Sequence, residues 1–135
     1  MNLITKEAVD RFTIMHDQYI SDWHEAMATG DTTALDRMAK AYYVAFFDNP
    51  SAKPLFFNAE ESWKGMQDSV NQLLGGHKNF DHRVIRLKDN EQAVVFYDLS
   101  ITYRDNKVAQ FFTIENWQFI DGNWLIQSEI QQRII

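Results

Sequence analysis

The sequence predicts an α+β fold in which helices pack on one face of a curved antiparallel sheet, and three observations predict it. In the N-terminal half, apolar residues recur at steps of three and four, the period of a helix with one buried face. From Phe80 onward the chain reads as extended segments rich in aromatic and branched residues. The connections between those segments are short and carry turn residues, which favours an antiparallel meander. Helices gathered early and strands gathered late are the pattern of an α+β domain. No repeat, low-complexity tract or linker interrupts the chain, so residues 1–135 are expected to form one domain.

The first helix is expected from about Thr5 to Thr29, with Ala8, Phe12, Met15, Tyr19, Trp23, Ala26 and Met27 as its buried stripe. Gly30 ends it, because glycine readily takes the left-handed conformation that caps a helix. Asp31 or Thr32 can then accept from the amides opening a second, shorter helix marked by Leu35, Met38, Ala39 and Tyr42. The run Tyr42 to Phe47 reads as a strand that stops at Asp48-Asn49-Pro50, and a loop through Pro54 follows. Asn58 and Glu61 form a capping pair for a third helix carrying Trp63, Met66, Val70, Leu73 and Leu74, stopped by Gly75-Gly76. Strands then run from Phe80 to Leu87, Gln92 to Tyr103, Val108 to Ile120 and Trp124 to about Arg133. Their turns are Lys88-Asp89-Asn90, Arg104-Asp105-Asn106 and Asp121-Gly122-Asn123.

Composition narrows the function. With 45% apolar and 14% aromatic residues, 135 residues can fill one substantial core. A net charge of −6 and a pI near 5.1 argue against nucleic acid as a partner, since phosphate contacts require clustered Lys and Arg. Cysteine is absent, which removes disulfides, thiolate nucleophiles and Cys-ligated metal. Charges at Lys6, Glu7, Asp10 and Arg11 interrupt any secretory signal core, and no apolar run approaches the roughly 20 residues that span a bilayer. A soluble cytoplasmic protein with no membrane partner is the expectation.

The most informative residue is Glu115. Alternation along its strand puts Phe111, Thr113, Glu115, Trp117 and Phe119 on one face, so a carboxylate stands among aromatics. A charge removed from water needs a partner, a proton or a ligand, and a pocket is the leading explanation; a structural carboxylate paired with Arg, Trp or Tyr is the alternative. His16 lies on the stripe of the first helix between Phe12 and Trp23, as a proton carrier or as a core histidine. His82 alternates with Phe80 and Val84 on its strand. No set of residues has metal-ligand spacing, and neither a phosphate-binding glycine loop, a nucleophile elbow nor a dinucleotide fingerprint is present, so neither metal nor cofactor is expected.

The order of these elements, together with Met27-Ala28-Thr29-Gly30-Asp31, the aromatic run into Asp48-Asn49-Pro50, and Ile114 to Phe119 followed by Asp121-Gly122-Asn123-Trp124, resembles the nuclear transport factor 2-like superfamily. The likeness covers nearly the whole chain and is strongest to the ketosteroid isomerase and SnoaL-like polyketide cyclase branches. It implies a cystatin-like cone: a sheet curled around a hydrophobic cavity, plugged by helices and dimerising through its outer face. Carried over by position, it makes Asp48 the general base and Glu115 a protonated acid, and it puts Trp23 where the isomerases have an oxyanion-stabilising tyrosine. Indole donates a hydrogen bond but exchanges no proton at neutral pH, so Trp23 departs from the pattern; Tyr19, one turn earlier, is the substitute on the same helix face.

The resulting expectation is a cavity for a small apolar molecule bearing a carbonyl or hydroxyl, with Asp48 and Glu115 as acid/base groups. Trp23, Trp63, Phe111, Trp117 and Phe119 are its expected walls, with Tyr19 or His16 as a polar contact. Isomerase, cyclase or dehydratase chemistry of this kind requires no cofactor, only a base and a donor for the developing oxyanion. The same fold also hosts ligand-binding and dimeric assembly modules without catalysis, and that reading stays open.

Overall fold

A computed structural model of the chain describes residues 3–49 and 53–134. Helix α1 spans Lys6–Thr29; Thr5 caps it through its side chain, 3.0 Å from the Ala8 amide, and Gly30 closes it in the left-handed conformation at φ 85°. The buried stripe is the expected one, His16 included, except that Met15 is only partly buried. Asp31 accepts from the Thr33 amide, but the turn it opens is only the 3₁₀ segment Thr33–Leu35.

The expected second helix is instead the start of strand β1, Met38–Phe47. Leu35, Ala39 and Tyr42 are all buried at a spacing that imitates a helix. The imitation arises because the register of β1 slips between Met38 and Tyr43, so its burial does not alternate there. The segment before the next helix, read as loop, contains the short edge strand β2, Leu55–Asn58. Pro50 of the expected Asp-Asn-Pro turn lies outside the described residues. Helix α2, Ala59–Gln72, has the reciprocal Asn58/Glu61 capping box. Its Val70 is buried and its Trp63 and Met66 partly so, while Leu74 beyond its end is exposed.

Strands β3 (His77–Asp89), β4 (Gln92–Tyr103), β5 (Asn106–Ile120) and β6 (Asn123–Arg133) form the expected meander. Arg104, Asp105, Asp121 and Gly122 all have positive φ, as tight hairpin turns demand. The sheet order is β2-β1-β6-β5-β4-β3, and the sheet is mixed rather than wholly antiparallel, because β1 pairs with β6 in parallel. Beneath the sheet, Phe12 packs edge-on against Trp117 and Trp124 at 6.0 and 4.9 Å, tying α1 to the centre of the meander.

Two bulges decide which residues face this interior. On β3, Asp81 opposes Asp98 and Val84 opposes Phe96, so His82 and Arg83 together face Tyr97, with His82 at φ 57°. On β6, Ile126 opposes Trp117 and Ser128 opposes Asn116, leaving Gln127 as the extra residue. Past each bulge the inward and outward sets exchange places.

Candidate functional site

The β5 face is the one alternation predicts: Thr113, Glu115 and Trp117 are fully buried. Glu115 is covered by donors. His16 Nε2 lies 2.8 Å and Trp117 Nε1 2.9 Å from its Oε1, and the Tyr97 hydroxyl donates to Oε2. The β3 bulge turns Arg83 inward, so that its Nη1 sits 3.0 Å from His16 Nδ1 while Nη2 holds Asp17 at 2.6 Å. A guanidinium only donates, so His16 Nδ1 must accept and the ring proton is on Nε2, directed at Glu115. The chain Asp17–Arg83–His16–Glu115 thus runs from surface to interior as charge-assisted hydrogen bonds. The alternation that grouped His82 with Phe80 fails at the bulge: His82 points to solvent and pairs with Asp98 at 3.0 Å.

Glu115 is fully engaged and does not line the main hollow. Its cross-strand neighbour does. Past Gln127 the inward residues of β6 are Glu129, opposite Glu115, and Gln131, opposite Thr113. Glu129 and Gln131 lie on the wall of a cavity of about 430 Å³ between the sheet, α1 and α2. The volume is in the range of small-molecule sites. Its apolar wall includes Tyr19, Trp23, Val44, Phe46, Met66 and Phe111, and its polar groups are few. Lys78 of β3 enters from the side opposite β1, its Nζ 3.3 Å from the centre of the Trp23 ring.

Burial pushes the Glu129 carboxyl up to about 8, reinforced by the negative charge of Glu115 and opposed by Lys78 and by a hydrogen bond with Tyr42. Burial pulls the Lys78 amine down to about 8 against the attraction of Glu129 and Glu115. Tyr42, Tyr19 and Tyr97 are raised, first by burial and then by the two carboxylates, so their hydroxyls stay protonated and act as donors. The cavity therefore brings together a carboxyl and an amine that both change protonation near neutrality, and phenol hydroxyls that do not.

Of the residues expected from sequence, Tyr19, Trp23 and Phe111 line this cavity. His16, Glu115 and Trp117 form the buried network behind it. Trp63 packs on the core from α2, and Phe119 packs on Trp124 with ring centres 5.4 Å apart. Asp48 is exposed, 3.7 Å from Arg133, whose guanidinium stands 6.0 Å from the Phe111 ring; it is beside the wall rather than on it. Glu129, Lys78 and Tyr42 were not found by sequence reasoning. Uninterrupted alternation from Trp124 and Ile126 assigns Ser128 and Ile130 to the inner face and Glu129 to solvent, and no signal in the sequence marks the bulge. Lys78 lies just past Gly75-Gly76, ahead of where the strand was expected to begin. Among the described residues no group of His, Asp and Glu could hold a metal ion, and no helix is long and apolar enough to cross a membrane.

Neither a protein-family model nor a curated relative matches the sequence. Solved structures do match. A Nostoc punctiforme protein of unknown function with a cystatin-like fold superposes with a TM-score of 0.71 at 15% identity, over 99% of this chain and 96% of that one. A Novosphingobium aromaticivorans protein provisionally named scytalone dehydratase gives 0.70 at 11% identity, over 97% and 89%. A Parabacteroides distasonis protein provisionally named ketosteroid isomerase gives 0.60 at 20% identity, over 85% and 84%. At such identities the likeness is one of architecture. The helix-backed, curved and unclosed six-stranded sheet of this chain is thus the cystatin-like fold of the nuclear transport factor 2-like proteins.

Proposed function

We propose that the cavity takes up a small, largely apolar molecule bearing a carbonyl or hydroxyl group, and that Glu129 moves a proton on it in isomerase, cyclase or dehydratase chemistry. The observation that carries this reading is the convergence of Glu129, Lys78 and the Tyr42 hydroxyl on one apolar hollow. A carboxyl held near pH 8 populates both its acid and its base form at neutral pH, the condition for efficient general acid–base work. Lys78 and Tyr42 are donors placed to stabilise negative charge developing on a substrate oxygen, worth most where water is excluded. Glu115 acts from behind the wall, raising the proton affinity of Glu129 while its own oxygens are taken up by three donors. The provisional names of two structural neighbours, a scytalone dehydratase and a ketosteroid isomerase, belong to the same chemical range.

The test has two parts. Native mass spectrometry of protein purified from cells reports any retained small molecule. Proton NMR in deuterated water then follows exchange of the α-hydrogens of a panel of small apolar ketones. The expected result is exchange whose rate follows a titration near pH 8 and falls at least 100-fold in Glu129→Gln. Retention of a ligand with no exchange in any ketone supports the non-catalytic binding module, and the absence of both overturns the assignment of the cavity.

A second expectation concerns assembly, and we propose a homodimer formed through the outer sheet face. Cross-strand pairing lines up Phe56, Ala45, Ile130, Ile114, Phe96 and Val84 as an apolar row across all six strands on the face away from the cavity. Phe56, Ile130 and Val84 in that row are exposed. An uninterrupted apolar row on a water-facing sheet is the kind of surface a second copy covers.

A further inference from the structure

We infer that Lys78 is a carbonyl-capturing amine: the cavity takes aldehydes and unhindered ketones and binds them covalently as a Schiff base on Lys78 Nζ, with Glu129 as the proton carrier. This deepens the cavity assignment above and rests on it.

The geometry is that of an amine built into a wall. Lys78 lies on edge strand β3 opposite Ile101, itself a wall residue, and both face inward. Lys78 lines both the inner cavity and a separate hollow of about 400 Å³ walled by residues of α1 and β3. The ring of Trp23 supports its Nζ at 3.3 Å. No ion pair within 4.0 Å neutralises the amine among the described residues, although charges surround it. From inside the molecule it senses Glu129 of β6 and, behind that, Glu115 of β5, while Tyr19 of α1 and Tyr42 of β1 share the cavity wall. Glu61 of α2 also lines the cavity. On the outer side Asp17 and His24 of α1 and Asp81 and Arg83 of β3 line the second hollow, with Asp17 already bound to Arg83. The net field is negative and favours the ammonium form, yet burial outweighs it and leaves the amine titrating near 8. A desolvated lysine of this kind is a nucleophile at neutral pH.

The step balances without any co-reactant. The neutral amine nitrogen forms a bond to the carbonyl carbon; the carbonyl π pair moves to oxygen, which takes the Glu129 proton. Nitrogen returns a proton to the Glu129 carboxylate, giving a carbinolamine. Glu129 then protonates the hydroxyl, the carbon–oxygen bond breaks, water leaves, and the nitrogen lone pair completes the carbon–nitrogen double bond. One amine, one carbonyl and the Glu129 proton give one protonated imine, one water and the Glu129 carboxylate. The protonated imine withdraws electrons from the neighbouring carbon, which makes its hydrogens easier for the Glu129 carboxylate to remove.

The experiment treats the full chain with substoichiometric 3-phenylpropanal at pH 8, reduces with cyanoborohydride, and maps the modified peptide by mass spectrometry. The expected product adds the mass of the aldehyde less one oxygen at Lys78. At that pH about half of an amine with pKa 8 is neutral against under about 1% of an ordinary lysine, so Lys78 should be labelled at least ten-fold faster than exposed lysines. Glu129→Gln should slow the labelling, and Lys78→Arg should abolish it. Labelling spread evenly over surface lysines overturns the inference. In that event ketone α-hydrogen exchange in Lys78→Arg separates the two ideas. Exchange persisting at the wild-type rate leaves the cavity assignment standing with Lys78 as a non-covalent donor; exchange absent from wild type and variant alike, with no ligand retained by either, removes both.

Discussion

At the scale of single residues, the pair Glu129 and Lys78 gives the protein an unusual dependence of stability on pH. The folded Glu129 carboxyl holds its proton up to about 8 against an ordinary value of 4.5. Below pH 4.5 both folded and unfolded chains are protonated there and nothing is lost. Between 4.5 and 8 the unfolded chain releases the proton first, so stability falls as pH rises. Lys78, lowered from 10.5 to about 8, acts in the opposite sense: the unfolded chain binds the extra proton between 8 and 10.5, and stability rises with pH across that window. The two contributions place a minimum near pH 8. At about 1.4 kcal/mol per unit, Glu129→Gln should raise stability at pH 8 by roughly 2–4 kcal/mol and leave it unchanged at pH 4. Denaturant melts of both proteins over this range check it, and equal gains at both pH values would refute the assignment.

Glu115 provides a second prediction at this scale. Its carboxylate accepts from His16, Trp117 and Tyr97, so a carboxamide in its place puts an N–H₂ group against a donor in a buried site. Glu115→Gln should cost about 1–3 kcal/mol of stability and lower the titration midpoint of Glu129, since the Glu115 charge is the second-largest cause raising it. Carboxyl resonances in a carbon-13 NMR titration read the midpoint directly. An unmoved midpoint would mean that the two carboxyl groups do not interact.

Among the elements, the bulges do the most to create the site. One extra residue at Gln127 moves Glu129 and Gln131 from the outer to the inner face of β6, and the His82 bulge does the same for Arg83 on β3. Deleting Gln127 should therefore yield a regular strand in which Ser128 still opposes Asn116 and Glu129 still faces inward opposite Glu115. The expected outcome is a chain that keeps both its sheet signal by circular dichroism and the titration near pH 8. A deletion variant that keeps its sheet but loses that titration would show that Gln127 is not the residue left over. Helix α2 is simpler, because its capping box and its stop were readable from residue types alone: Asn58 and Glu61 satisfy each other's backbone amides at 2.9 and 3.0 Å.

For the whole molecule, the sheet has two faces with different tasks. The concave face carries the cavity and the buried Arg83–His16–Glu115 network; the convex face carries the apolar row from Phe56 to Val84. The row predicts that the protein sediments as a dimer at micromolar concentration and that Ile114→Lys, at its centre, yields a folded monomer. A wild-type monomer in analytical ultracentrifugation would overturn it.

The sequence by itself determined the elements whose signals are local. The α1 stripe, its Gly30 cap, the capping box of α2, the hairpin turns and the inward face of β5 were all legible, because each rests on spacing or on residues a few positions apart. Tertiary structure alone decided the rest. It turned Met38, Ala39 and Tyr42 from an expected helix into a slipped strand, set β1 beside β6 in parallel, and brought Lys78, Tyr42 and Glu129, far apart in the chain, onto one hollow. The physical reason is that a bulge is a property of two paired strands. Which residue is left over depends on the partner's register, and a single strand read alone contains no trace of it.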